Sequence, residues 1–205
     1  MIWNLPNILT VLRLLAAPGV AVMFLYFHRP WADWFALVLF VAAAATDFFD
    51  GWLARKWGQE TKLGAMLDPI ADKAMVVIAL LVITGFSGMN PWILLPATLI
   101  LFREVFVSGL REFLGDTAGT LKVTNLAKWK TTAQMVAIAV LFLGTGLDWV
   151  ARGEMGPSGL ARFRDGPAGW ATVTGILILW VAGALTLITG WDYFRKSVPF
   201  LKGPK

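Results

Sequence analysis

Long stretches of this chain hold almost no polar residue, and the charged positions fall in clusters between them. Six stretches are apolar over roughly the 20 residues that a helix needs to cross a bilayer. They lie near residues 8–27, 32–52, 70–87, 91–112, 130–147 and 169–190. The predicted fold is all-α: one integral membrane domain over residues 1–205, built as a bundle of six transmembrane helices. GFSGMNP predicts a short turn between the third and fourth spans. The segment GLDWVARGEMGPSGLARFRDGPAG, from Gly146 to Gly169, is polar and breaker-rich and predicts a loop. No Lys or Arg precedes the first run and no small-residue cleavage site follows it, so it reads as a retained first span.

Composition agrees with a membrane protein. Hydrophobic residues make up 58% of the chain and charged residues 15%, which is too apolar for an ordinary soluble domain. There is no cysteine, which excludes a disulfide framework and a cysteine-ligated metal. The net charge of +5 would suggest nucleic acid in a soluble protein. Here the basic residues flank apolar runs, so topology and anionic membrane lipids account for them, with no nucleic acid partner.

Of the eighteen lysines and arginines, only Arg29, Arg152, Arg162 and Arg164 fall on the side of the 1–2 and 5–6 connections. The other fourteen lie with the termini and the 2–3 and 4–5 connections, which predicts that both termini are cytoplasmic. The outward loop balances its basic residues with Asp148, Glu154 and Asp165. Nine of the eleven tryptophans, Trp3, Trp31, Trp34, Trp52, Trp57, Trp92, Trp149, Trp170 and Trp191, lie near span ends and read as an interfacial belt. His28 reads as an interfacial side chain. The tail WDYFRKSVPFLKGPK reads as an interfacial anchor attracted to anionic lipid, not as a site.

The candidate chemistry sits in DFFDGWLARKWGQETKLGAMLDPIAD, residues 47–72. Asp47 and Asp50, spaced i, i+3, end the second span; Asp68 and Asp72, spaced i, i+4, begin the third. Each spacing puts two carboxylates on one helix face. Asp68 followed by Pro69 reads as a cap and first turn. Four ionised carboxylates at one point need cations between them. Hard oxygen donors without Cys or His point to Mg²⁺, Mn²⁺ or Ca²⁺, and two such ions would form a site for displacement at phosphorus. Gly51, Ala54 and Gly64 are small enough to let a ligand or a neighbouring helix approach the backbone.

A second cluster lies in REVFVSGLREFLGDTAGTLKVTNLAKWK, residues 103–130. Arg103 and Arg111 stand two turns apart within or beside an apolar run, which is costly for topology alone. Arginine suits bidentate phosphate recognition. Lys122, Lys128 and Lys130 follow across a short connection. An acidic metal corner and a basic corner on one face suit transfer of a phosphate-containing group to an acceptor that carries phosphate.

Residues 47–72 fit D-x2-D-G-x2-A-R-x8-G-x3-D-x3-D with every position filled: Asp47, Asp50, Gly51, Ala54, Arg55, Gly64, Asp68 and Asp72. The segment resembles the signature of the CDP-alcohol phosphotransferases, and the six-span pattern is similar to that family along the whole chain. PNILTVLR (Pro6 to Arg13), REVFVSGLREF (Arg103 to Phe113) and KWKT (Lys128 to Thr131) are most similar to the branch of bacterial phosphatidylglycerophosphate synthases. The resemblance implies a bacterial inner-membrane, multi-pass enzyme. It implies CDP-diacylglycerol as donor and sn-glycerol 3-phosphate as acceptor, with phosphatidylglycerol phosphate and CMP as products. Asp47, Asp50, Asp68 and Asp72 would hold two divalent cations, Mg²⁺ or Mn²⁺, and Asp72 would also be the general base. Gly51, Ala54, Arg55 and Gly64 would serve the donor, with Asn7, Thr10 and Arg13 contributing to its pocket. Arg103, Arg111 and Lys128 would bind the acceptor's phosphate, and the resemblance further implies a homodimer.

Two alternatives stand beside this reading. The same chemistry could use another acceptor, inositol phosphate or phosphatidylglycerol (giving cardiolipin). From a different class, four carboxylates could line the path of a divalent-cation transporter. Against that, the acidic residues lie on one side of the membrane and no inverted repeat is present.

Overall fold

The computed structural model describes residues 4–57, 61–115, 119, 125–152 and 166–201, without the side chains at 48, 50–55, 57, 125, 127, 128 and 152. Among these residues the chain forms six helices and no strand: α1 (Leu5–Tyr26), α2 (Trp31–Trp57), α3 (Lys62–Phe86), α4 (Pro91–Leu114), α5 (Asn125–Arg152) and α6 (Pro167–Leu201). Their starts carry ordinary capping chemistry. The Asn4, Thr61 and Asn90 side chains accept from the backbone N–H groups of Asn7, Gly64 and Trp92, each at 3.0 Å. Pro91 and Pro167 open α4 and α6, where a missing N–H costs nothing.

Among the described residues, four helices have stretches long and apolar enough to cross a membrane: Leu5–Tyr26, Pro91–Leu114, Trp129–Ala151 and Pro167–Leu201. The other two, α2 and α3, carry the aspartates. The bundle is apolar outside as well as inside. Leu15, Val38, Leu81, Phe102, Val105 and Leu177 are all more than 60% exposed, a surface suited to lipid. Trp31, Trp92 and Trp170 are exposed near helix ends, as an interfacial belt requires, whereas Trp191 is exposed well inside α6 and Trp149 stacks on the Arg29 guanidinium. His28 is exposed beyond the end of α1.

Lipid tails are as apolar as leucine, so close contact rather than burial from water holds the helices together. α1 packs on α2 and α3, α4 on α6, and α5 on α6 and α2. Ala17, Ala36, Ala43, Ala79, Ala97, Ala137 and Ala182 line the core beside Phe40, Phe142, Leu80, Ile83, Ile100, Ile138 and Leu179. The α5–α6 seam is close-packed. A Cβ at Gly144 would meet Thr172 Oγ1 at 2.9 Å and its backbone N at 3.2 Å, and one at Gly175 would meet Leu141 Cγ at 2.8 Å. At the end away from the aspartates, Arg29 pairs with the fully buried Asp33. The Arg29 guanidinium sits 5.1–5.7 Å from the ring centres of Phe24, Phe86 and Trp149, tying α1, α2, α3 and α5 together.

Three expectations are corrected. The third helix begins at Lys62, not near residue 70, so Asp68 is no cap and Pro69 lies inside the helix. Thr61 supplies the cap that Asp68 was expected to give. The expected loop at 146–169 is shorter, because α5 continues to Arg152 and α6 begins at Pro167. Asp148 is accordingly a buried helical residue, not a loop charge; residues 153–165 lie outside the described ones. Finally, the tail is not only an anchor. α6 runs to Leu201, about 52 Å of helix, and Tyr193 and Ser197 are buried.

Gly144→Ala should force α5 and α6 apart, because the opposing atoms include Thr172 backbone. We expect a loss of about 1–3 kcal/mol, read as a lower thermal midpoint of the purified protein; an unchanged midpoint would mean that this seam is looser than described.

Candidate active site

Besides the Arg29–Asp33 pair, the described residues form two polar clusters that meet at neighbouring positions of α3. The acidic cluster lies where α3 meets α1 and α2. One face of α1 carries Asn7, Thr10 and Arg13, all buried to within 3%. Arg13 Nη1 pairs with Asp47 Oδ1 on α2 and donates to Asp72 Oδ1 on α3 at 2.8 Å. Its side chain is 2% exposed, whereas those of Asp47 and Asp72 are about 40% exposed. Thr10 Oγ1 donates to Asp68 Oδ1 at 2.7 Å. Asn7 Nδ2 donates to the Thr61 hydroxyl at 2.8 Å, which fixes α1 to the start of α3. Gly64 is what permits this approach: a Cβ there would stand 2.7 Å from Asn7 Oδ1.

One guanidinium therefore serves two carboxylates, with a third held by a hydroxyl. The described groups leave two negative charges in excess. Among the described residues, no three acidic, histidine or cysteine side chains converge closely enough to hold an ion by themselves. The side chains of Asp50, Gly51, Ala54, Arg55 and Lys128 lie outside the described ones. The charge excess and the all-oxygen donor set fit a hard divalent cation, and the Arg13 guanidinium marks where positive charge is needed.

The basic cluster centres on Glu104 of α4. Lys130 of α5 pairs with its carboxylate, and Arg103 Nη1 donates to the same oxygen at 3.1 Å. All three side chains are at most 14% exposed. Lys73, next to Asp72 on α3, donates to Ser108 Oγ, which in turn donates to the Glu104 carbonyl at 2.6 Å. Neighbouring residues of α3 thus enter opposite clusters. Arg103 also walls a groove of about 430 Å³ between α4 and α6, otherwise lined by Gly190 and by Phe102, Phe106, Leu187, Trp191 and Phe194. Arg111 is exposed and lies over the ring of Tyr193.

Of the sequence-predicted residues, Asn7, Thr10, Arg13, Asp47, Asp68 and Asp72 come together, and Gly64 packs beside them. Arg103 belongs to the second cluster, whereas Arg111, two turns further along α4, lies over Tyr193. Sequence reasoning passed over Glu104 and Tyr193, treated Lys73 only as a topological charge, and grouped Lys130 with the basic cluster without assigning it a role. Glu104 did carry a signal: an acid inside an apolar run bears the same cost as the adjacent arginine.

The family model for CDP-alcohol phosphatidyltransferase matches residues 3–188. A protein of Cereibacter sphaeroides named CDP-diacylglycerol–glycerol-3-phosphate 3-phosphatidyltransferase is 68% identical, with the whole of both chains covered. Proteins of the same name from Rickettsia bellii and Escherichia coli K12 are 40% and 36% identical, covering 94% and 96% of each chain.

Arg13→Met should leave Asp47 and Asp72 without their shared cation. We expect a stability loss of about 1.5–3 kcal/mol, the range for a hydrogen bond to a charged group. Thermal unfolding without divalent cations tests this; an unchanged midpoint would show that Arg13 is not the counter-ion of the corner.

Proposed function

The chain belongs to the CDP-alcohol phosphatidyltransferase family, and on that premise we propose that it transfers the phosphatidyl group of CDP-diacylglycerol to sn-glycerol 3-phosphate. The products are phosphatidylglycerol phosphate and CMP. The observation that carries this reading is the 68% identity, over the full length of both chains, to a relative of that name. The excess of cations around Glu104 supports an acceptor that bears phosphate.

The acceptor's 1-hydroxyl attacks the phosphorus that carries the lipid, and the bond to CMP breaks. Asp72 takes the hydroxyl's proton. Asp47, Asp50, Asp68 and Asp72 would hold two divalent cations, Mg²⁺ or Mn²⁺, whose charge offsets that developing on the diphosphate and on the leaving CMP. Arg13 and Thr10 orient three of these carboxylates from α1. Gly51, Ala54, Arg55 and Gly64, with Asn7, Thr10 and Arg13, serve the donor. Arg103, Arg111 and Lys128 bind the acceptor's phosphate, and Glu104 fixes Arg103 and Lys130.

The setting is one domain of six spans over residues 1–205, α2 and α3 included, in a bacterial inner membrane. The termini and the site are cytoplasmic, and the working form is a homodimer. The aspartates stand at the polar edge, so the charged chemistry stays out of the hydrocarbon while the donor's tails remain in it. A cation path through this corner would have to pass the fixed charge of Arg13, which favours the enzyme over a transporter.

CMP release by purified protein, given CDP-diacylglycerol, Mg²⁺ or Mn²⁺ and one acceptor at a time, tests the reading. Strong release is expected with glycerol 3-phosphate and none after chelation. Release with inositol phosphate or phosphatidylglycerol instead would overturn the acceptor. Asp72→Asn should lower turnover by about 10²–10⁴-fold in protein that still folds; near-normal rates would remove Asp72 as the base. Arg111→Ala should raise KM for glycerol 3-phosphate roughly tenfold or more, and a rise confined to the donor would contradict its assignment.

A further inference from the structure

Arg103 and Arg111 leave α4 two turns apart, about 12 Å along its axis, yet both rest on one turn of α6. Arg103 lies across Gly190, where a Cβ would meet its Cγ at 2.9 Å and its Nε at 3.6 Å. The Arg111 guanidinium carbon sits 5.5 Å from the centre of the Tyr193 ring. Gly190 and Tyr193 are only about 4.5 Å apart along α6, so both arginines contact the same turn of that helix.

Two buried polar atoms at this seam have no hydrogen-bond partner among the described residues: Arg103 Nε and the Tyr193 hydroxyl. Tyr193 is 7% exposed. An unpaired buried hydroxyl is rare and lowers stability. Phenylalanine would fill nearly the same space and keep the same ring beneath Arg111. The charge is unbalanced too, with Arg103, Lys130 and Lys73 gathered about Glu104, and Arg111 adds a further cation over the Tyr193 ring. A ligand with several anionic oxygens would offset that charge, accept from Arg103 Nε and accept from the hydroxyl.

Resting on the reading of Arg103 and Arg111 as phosphate ligands, we infer that Tyr193 completes the acceptor site. Its hydroxyl donates to a phosphate oxygen of glycerol 3-phosphate, while its ring seats Arg111. Tyr193 thereby helps to select an acceptor that carries phosphate.

Tyr193→Phe separates the hydroxyl from the ring. In CMP-release assays with CDP-diacylglycerol, the variant should raise KM for glycerol 3-phosphate by roughly tenfold or more, as for a lost hydrogen bond to a charged group. KM for the lipid donor should not change. The thermal midpoint without substrate should be equal or higher, because an unpaired buried group is gone. The rise in midpoint that glycerol 3-phosphate induces in the wild type should shrink. Tyr193→Leu, which also removes the seat of Arg111, should raise the acceptor KM further. An active wild type with an unchanged acceptor KM in Tyr193→Phe would overturn the inference alone, as would equal rises for both substrates. A wild type that releases no CMP with glycerol 3-phosphate would bring down the functional reading, and this inference with it.

Discussion

The Arg13 guanidinium, shared between Asp47 and Asp72, is the contact on which the rest of the site depends. A carboxylate is costly beside lipid, and two facing each other repel. One buried cation on α1 lets α2 and α3 bring their carboxylates to the same place. The other α1 contacts serve the same end: Thr10 holds Asp68, and Asn7 holds Thr61, the cap of α3. Because these residues lie on one face of a single helix, the placement of α1 sets three carboxylates together.

The Arg29–Asp33 pair secures the other end of α1 among aromatic rings. In a bilayer, where helices gain little from hiding apolar surface from one another, such buried polar ties and small-residue contacts set helix positions. The bundle has ion pairs at both ends and glycine or alanine contacts between. Lys73 and Asp72 show how tightly function is packed into it. Adjacent on α3, they serve a basic and an acidic cluster, so the helix that separates the two charges also sets their spacing.

The acidic corner was legible in the sequence because its residues are close in the chain and share helical spacing. Arg13 was legible less directly, through the resemblance of PNILTVLR, since nothing in its own neighbourhood announces a partner 34 residues away. The basic cluster was legible only in part. Arg103 and Arg111 stood out because arginine in an apolar run is costly, whereas Glu104 was masked by its neighbour. Tyr193 was read as part of an aromatic anchor, because one tyrosine near a membrane edge carries no signal of burial. The start of α3 was missed because Pro69 suggests a first turn more strongly than Thr61 suggests a cap.

Sequence alone determined the all-α character of the bundle, the positions of its apolar runs, the pairing of aspartates at i, i+3 and i, i+4, and the family signature. These follow from local hydropathy and helical periodicity, which act over a few turns. Tertiary structure alone decided which cation neutralises which carboxylate, that Glu104 gathers Arg103 and Lys130, and that Gly190 and Tyr193 receive the two arginines of α4. Those contacts join helices distant in the chain. They depend on how closely each pair of helices approaches, which is set by the side chains of both.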